Sequence, residues 1–197
     1  MKFCNYHTHT RFCDGANTAE EMVVTALELG CPELGFSGHS YLPFDPDWTM
    51  SPAQTEAYRK EVLRLRDVYR DRISVRLGLE LDTCSAPVNP SDYDYLIGAV
   101  HCIFKDGHYI SVDYGAKELK KAIQDFYDGD IYAFAEDYYR EEALVYEKTA
   151  CTIVAHFDLV TKFMEAGLPL DCAHPRYRAA ADAALDALLK APVLFEI

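Results

Sequence analysis

The sequence is poor in positive charge. It has 19 Lys and Arg against 32 Asp and Glu, a formal net charge of -13. That balance argues against an electrostatic grip on a nucleic-acid backbone. It leaves a small anionic substrate open, because bound cations invert the local field. No apolar run is long enough to cross a bilayer, and the N-terminus has neither a charged leader region nor a cleavage site. A cytoplasmic protein without membrane contact is therefore expected. Paired cysteines are also missing. Cys4, Cys13, Cys31, Cys84, Cys102, Cys151 and Cys172 are odd in number and none forms a Cys-x-x-Cys pair. This excludes a disulfide framework and favours reduced thiols in or beside apolar segments. No linker and no low-complexity stretch interrupts the chain, so residues 1–197 are expected to form one domain.

The chain alternates strand and helix signals. Residues 1–6 read as a short strand. Thr18 and Glu21 form a capping box for a helix that Gly30 ends. Residues 32–40 read as a buried strand. Residues 41–51 form an aromatic and proline-rich loop, and Ser51-Pro52 opens a helix over 52–71. Strands are expected at 73–82, 95–101, 151–158 and 192–197. Helices are expected at 115–127, 133–148 and 175–190. Residues 102–114, with Lys105, His108 and Asp113, read as a loop, and His174 reads as an exposed loop residue.

The polar residues fall at one topological position. His7, His39, Glu80, His101 and His156 each stand at the C-terminal end of a different strand, the edge that carries chemistry in α/β folds. His7 and His9 are two apart on an extended segment, so both imidazoles face one way, and Asp14 can fold back from the next loop. Imidazole suits zinc, iron and similar ions, and one carboxylate such as Glu80 can hold two cations. A metal site with several ions is expected. Cys13 and Cys102 lie near these residues and are not counted as ligands.

His7-Thr-His9, Gly38-His39, Gly78-Leu79-Glu80-Leu81-Asp82, Gly98-Ala99-Val100-His101 and His156-Phe157-Asp158-Leu159-Val160 together resemble the polymerase-and-histidinol-phosphatase (PHP) metallohydrolases. The likeness is strongest to the histidinol-phosphate phosphatase branch and covers nearly the whole chain. It implies a distorted (β/α)7 barrel with up to three zinc, iron or manganese ions at its mouth. By that likeness His7 and His9 would bind one ion and Glu80 would bridge to a second. His101 and His156 would complete the second, while Asp14 and His39 would hold a third. The family also supplies an Asp-x-His pair from a seventh strand, and no such pair ends this sequence. The barrel is therefore expected to stop after its sixth strand, leaving an exposed sheet edge that invites self-association. Such a chain is expected to turn over poorly beside a tail-extended form.

The resemblance further implies in-line hydrolysis of L-histidinol phosphate in histidine biosynthesis, with no nucleophilic side chain. Glu80, His101 and Arg11 are the catalytic candidates. Arg11, Lys105, His108 and Lys162 are the candidates for holding the phosphorylated substrate. Relatives commonly carry an arginine where Thr161 stands here, followed by Lys162. Tyr41, Phe44 and Trp48 could stack on the substrate's imidazole, and Asp82 or Asp113 could meet an amine or a water. Three other readings are open: a phosphoesterase of the same family with another small phosphorylated substrate, an inactive remnant, and a nuclease. The acidic composition argues against the last.

Overall fold

The protein is described here by a computed structural model covering residues 4–196. It resolves into two compact units. One comprises the chain up to Leu81 together with Ser85–Ile97. The other comprises Asp82–Cys84 and the chain from Gly98.

In the first unit, α1 (Ala19–Glu28) begins at the expected box. Thr18 accepts the Glu21 N–H, and the Glu21 carboxylate accepts the Thr18 N–H at 2.8 Å. Gly30 follows with φ +70°, a conformation glycine adopts without a Cβ penalty. The next strand, β1 (Glu33–Phe36), runs parallel to β2 (Ser74–Asp82), with Leu34 opposite Val75. Between them α2 (Pro52–Tyr69) starts on a second box, Ser51 with Gln54, and buries Tyr58, Val62 and Leu65. From Leu77 to Asp82 every residue of β2 is buried, as in a strand covered on both faces. Gly78 is required there, because a Cβ would lie 2.3 Å from the ring of Tyr95. Tyr95 opens β3 (Tyr95–Ala99) and donates its hydroxyl to the carbonyl of Phe36 at 3.0 Å.

In the second unit, β4 (Cys102–Lys105) and β5 (His108–Ser111) form an antiparallel hairpin. Residues 102–114, read as a loop, are thus largely sheet. The two turn residues, Asp106 and Gly107, have φ 49° and 82°, the conformation that Asp-Gly hairpin turns require. Next comes α3 (Ala116–Tyr127), followed by α4 (Ile131–Glu142) and α5 (Val145–Thr149) where one helix over 133–148 was expected. Asp130 starts α4 early by accepting the N–H groups of Tyr132 and Ala133. Only Ile153–Val154 forms β6, and only Leu194–Phe195 forms β7, which pairs with it in parallel. The last helix, α6 (Pro175–Leu188), packs on α4 through Tyr177 and Tyr139, whose hydroxyls are 2.7 Å apart. Its N-cap is His174, half-buried and stacked on Tyr132 rather than exposed. Ile103, Ile110, Leu119, Ile123, Phe134 and Tyr138 lie at the centre of this unit's core.

The larger sheet has the order β1-β2-β3-β6-β7. Among the described residues this sheet has five strands, one fewer than the six expected before the barrel stops short of closure. The first expected strand lies partly outside the described residues, as does Ile197 of the last. Asn5 contributes a single parallel bridge, to Leu34. No helix among the described residues is long and apolar enough to cross a membrane.

Candidate metal centre

Two clusters of ligand-type residues form, one in each unit. In the first unit, the segment carrying His7 and His9 runs beside β1, with the Ser37 N–H donating to the Thr8 carbonyl at 3.0 Å. His39 lies just beyond β1 and bridges Glu80 in parallel, fixed by Glu80 N–H to Gly38 O at 3.1 Å and Ser40 N–H to Glu80 O at 2.8 Å. This backbone register brings four side chains to one point. Glu80 is 1% exposed, and its Oε2 faces His39 Nδ1 at 2.9 Å, His7 Nε2 at 3.2 Å and His9 Nε2 at 3.3 Å. Asp14 Oδ1 approaches the other face, 3.5 Å from His9 Nδ1 and 3.7 Å from His39 Nε2.

The protonation pattern follows from these neighbours. Burial, with the charge of His39, lowers His9 to about 4, so its imidazole is neutral. Burial also opposes charge on His39, but the hydrogen bonds and charges of Asp14 and Glu80 outweigh it and raise His39 to about 10. The hydrogen bond with His39 holds Asp14 down near 2. In the metal-free cluster a protonated His39 thus stands between the two carboxylates, Nδ1 toward Glu80 and Nε2 toward Asp14.

These residues fit a divalent cation. Three imidazole nitrogens converge on one buried carboxylate oxygen, which has two lone pairs to offer. Neutral imidazole and carboxylate are the donors that zinc, iron and manganese take. One ligand atom from each of His9, His39 and Glu80 lies within 4.8 Å of the others, and the same holds for His9, Cys13 and Asp14. Cys13 was not expected in the group. Its Sγ is 3.5 Å from His9 Nδ1, and the only signal for it is its place beside Asp14.

In the second unit, Asp82 Oδ2 accepts the His101 backbone N–H at 2.8 Å and faces His101 Nδ1 at 3.2 Å. With Nδ1 so engaged, a metal-binding role for His101 would fall to Nε2, as a carboxylate partner arranges for metal-binding histidines. The His101 and His156 rings stand 5.0 Å apart, nearly edge to face. His156 is tied to the sheet by its N–H, which donates to Glu196 at 3.2 Å. Asp82, which could meet an amine or a water by the sequence reading, orients His101 in the structure. The signal was its spacing, two residues beyond Glu80 on the same strand.

Each cationic candidate is held by a partner outside the two clusters. Arg11 is exposed and donates Nε to the Ala16 carbonyl at 2.7 Å. Lys105 pairs with Asp137 at 2.8 Å and lies over the Tyr127 ring. His108 is exposed, bonds the Asp106 carbonyl through Nδ1 and packs on Phe126. Lys162 pairs with Asp113 at 3.1 Å. Trp48 stands edge-on to His39, with ring centroids 4.6 Å apart.

The PHP domain family is matched over residues 5–197. The chain belongs to the PHP family. It is similar to histidinol-phosphatase of Bacillus subtilis, 31% identical over 184 residues, covering 81% of this chain and 67% of the relative. The PHP-domain curated relatives that it matches are covered over about half to two thirds of their lengths. Two solved structures share the fold. One, from Listeria monocytogenes, is described as a candidate histidinol phosphatase. It superposes with TM-score 0.83 at 19% identity, over 98% of this chain and 81% of that one. The other, a histidinol phosphate phosphatase from Lactococcus lactis, was solved with zinc, L-histidinol and phosphate. It gives TM-score 0.70 at 20% identity, over all of this chain and 73% of that one. At these identities the structural likeness speaks for the fold alone.

Proposed function

We propose that this PHP chain is a metal-dependent phosphomonoester hydrolase whose substrate is L-histidinol phosphate. The observation that carries the reading is Glu80, a buried carboxylate whose single oxygen faces the nitrogens of His7, His9 and His39. Such a donor set serves a cation better than it serves a hydrogen-bond network. His7, His9, Asp14, His39 and Glu80 would hold cations in the first unit, and His101 with His156 in the second. When bound, the ions neutralise phosphate charge and make water acidic enough to attack at neutral pH.

The chain's own residues supply placement. Glu80 and Asp14 hold the histidine rings, and Asp82 keeps His101 presenting Nε2. Trp48, with Tyr41 and Phe44 on the same loop, is proposed to receive the substrate's imidazole by ring stacking. Arg11, in the loop between His9 and Asp14, is the proposed phosphate contact, and it would have to leave the Ala16 carbonyl to serve. Lys105, His108 and Lys162 would likewise have to leave Asp137, Asp106 and Asp113. The test is phosphate release from a panel of small phosphomonoesters, after loading with zinc, iron or manganese. Preference for L-histidinol phosphate supports the assignment. Faster release from a sugar or nucleotide phosphate would keep the hydrolase and replace the substrate.

A further inference from the structure

Glu142, at the end of α4, is a glutamate with 0% exposure. Its Oε1 lies 2.8 Å from the hydroxyl of Tyr138, one helical turn earlier and equally buried. Among the described residues its Oε2 has no hydrogen-bond partner, and no cation pairs with it. The Tyr138 hydroxyl in turn lies 3.3 Å from the Phe157 carbonyl and 3.5 Å from that of His156. The Tyr138–Glu142 pair therefore abuts the main chain that follows β6 and carries His156.

A count of protons settles how this arrangement is filled. Tyr138 has one hydroxyl proton. If Glu142 were ionised, that proton would go to the carboxylate and the Phe157 carbonyl would lose its donor. A buried carboxylate with one hydrogen bond and no counter-charge is also costly. If Glu142 is a neutral acid, it donates to the Tyr138 oxygen and Tyr138 donates onward to the main chain. Every proton then has an acceptor.

We propose that Glu142 is held as a neutral carboxylic acid, and that the Glu142–Tyr138 pair is a positioning device that fixes the His156 strand end through its backbone carbonyls. Burial, with the negative charges of Asp82 and Asp158 facing it, drives the Glu142 carboxyl well above the usual range, in the same direction. The part of the proposal that concerns metal rests on reading His156 as a ligand.

Three measurements test it. Infrared spectra at neutral pH, where exposed carboxyls are ionised, should show a protonated-acid C=O band above the amide I region, absent in Glu142→Gln. No such band in the wild type, or one that persists in the variant, overturns the neutral acid. Hydrogen exchange over 156–161 should be about tenfold faster in Tyr138→Phe, which strips the part-buried Phe157 carbonyl of its donor. It should stay at the wild-type rate in Glu142→Gln, whose amide still donates. Exchange unchanged in Tyr138→Phe overturns the positioning role, with no metal involved. Finally, cobalt titration should show one ion bound about tenfold more weakly in Tyr138→Phe, as for lost outer partners of metal ligands. If the wild type takes up no cobalt, the metal reading falls, and the first two measurements still decide the proposal.

Discussion

Metal binding at the first cluster should displace a proton from His39, and the pH dependence of affinity measures it. In the metal-free protein Asp14 and Glu80 raise His39 to about 10. A cation that takes His39 as a ligand competes with that proton, because only neutral imidazole binds metal. At pH 7 the proton is held by three pH units, so apparent affinity should lie about a thousandfold below its limit, a cost of about 4 kcal/mol. The sign is fixed: affinity rises about tenfold per pH unit and levels off only as pH passes the His39 value. His9, already neutral above about 4, adds no proton in this range, and neither does Asp14, ionised above about 2. The chain's one tryptophan, Trp48, stands edge-on to His39 and provides the optical signal. Calorimetry of manganese binding between pH 6.5 and 8.5, in buffers of different ionisation enthalpy, counts the protons released. Affinity independent of pH, with no proton released, would refute the charge pattern assigned to His39, Asp14 and Glu80.

Other outcomes follow from single contacts. Asp82→Asn should weaken metal binding at His101 by about 10- to 100-fold, since a neutral amide is a weaker acceptor for His101 and its NH2 would face the Cys84 N–H that Asp82 Oδ1 accepts at 2.7 Å; equal affinity in a cobalt titration would count against the pair. Gly78→Ala should destabilise by about 1–3 kcal/mol or more in urea unfolding, because the new methyl meets the Tyr95 ring. Thr18→Ala should cost about 1 kcal/mol in the same assay by removing the α1 cap, and a loss near zero would show that water replaces it.

Features set by neighbours in sequence were legible in the sequence. Thr18 with Glu21, and Ser51 followed by Pro52, mark helix starts within one turn. The grouping of His7, His9 and His39 around Glu80 was legible too, because strand ends repeat one pattern at His39, Glu80 and His101. The β4–β5 hairpin was missed although Asp106-Gly107 announces it, since its short arms lack a clean alternation of apolar and polar residues. Strand lengths at β6 and β7 were overestimated because apolar runs such as Cys151–Ala155 do not reveal where pairing stops. The Asp82–His101 pair joins residues 19 apart, and only the fold brings them together. Glu142 was invisible for another reason. A glutamate in a charged helix reads as solvated until both sides of α4 are known to be covered. Lys105 and Lys162 show the converse, since sequence offers no sign that Asp137 and Asp113 will claim them.

The central claim is that Glu80 and the histidines around it form a cation site. Metal analysis of the purified protein, loaded with zinc or manganese and dialysed, tests it directly when wild type is compared with Glu80→Gln. The account predicts at least one tightly held ion per chain in the wild type, and loss of an ion in the variant with the fold retained by circular dichroism. Wild-type protein that dialyses free of metal, or a variant that keeps the same content, would contradict it.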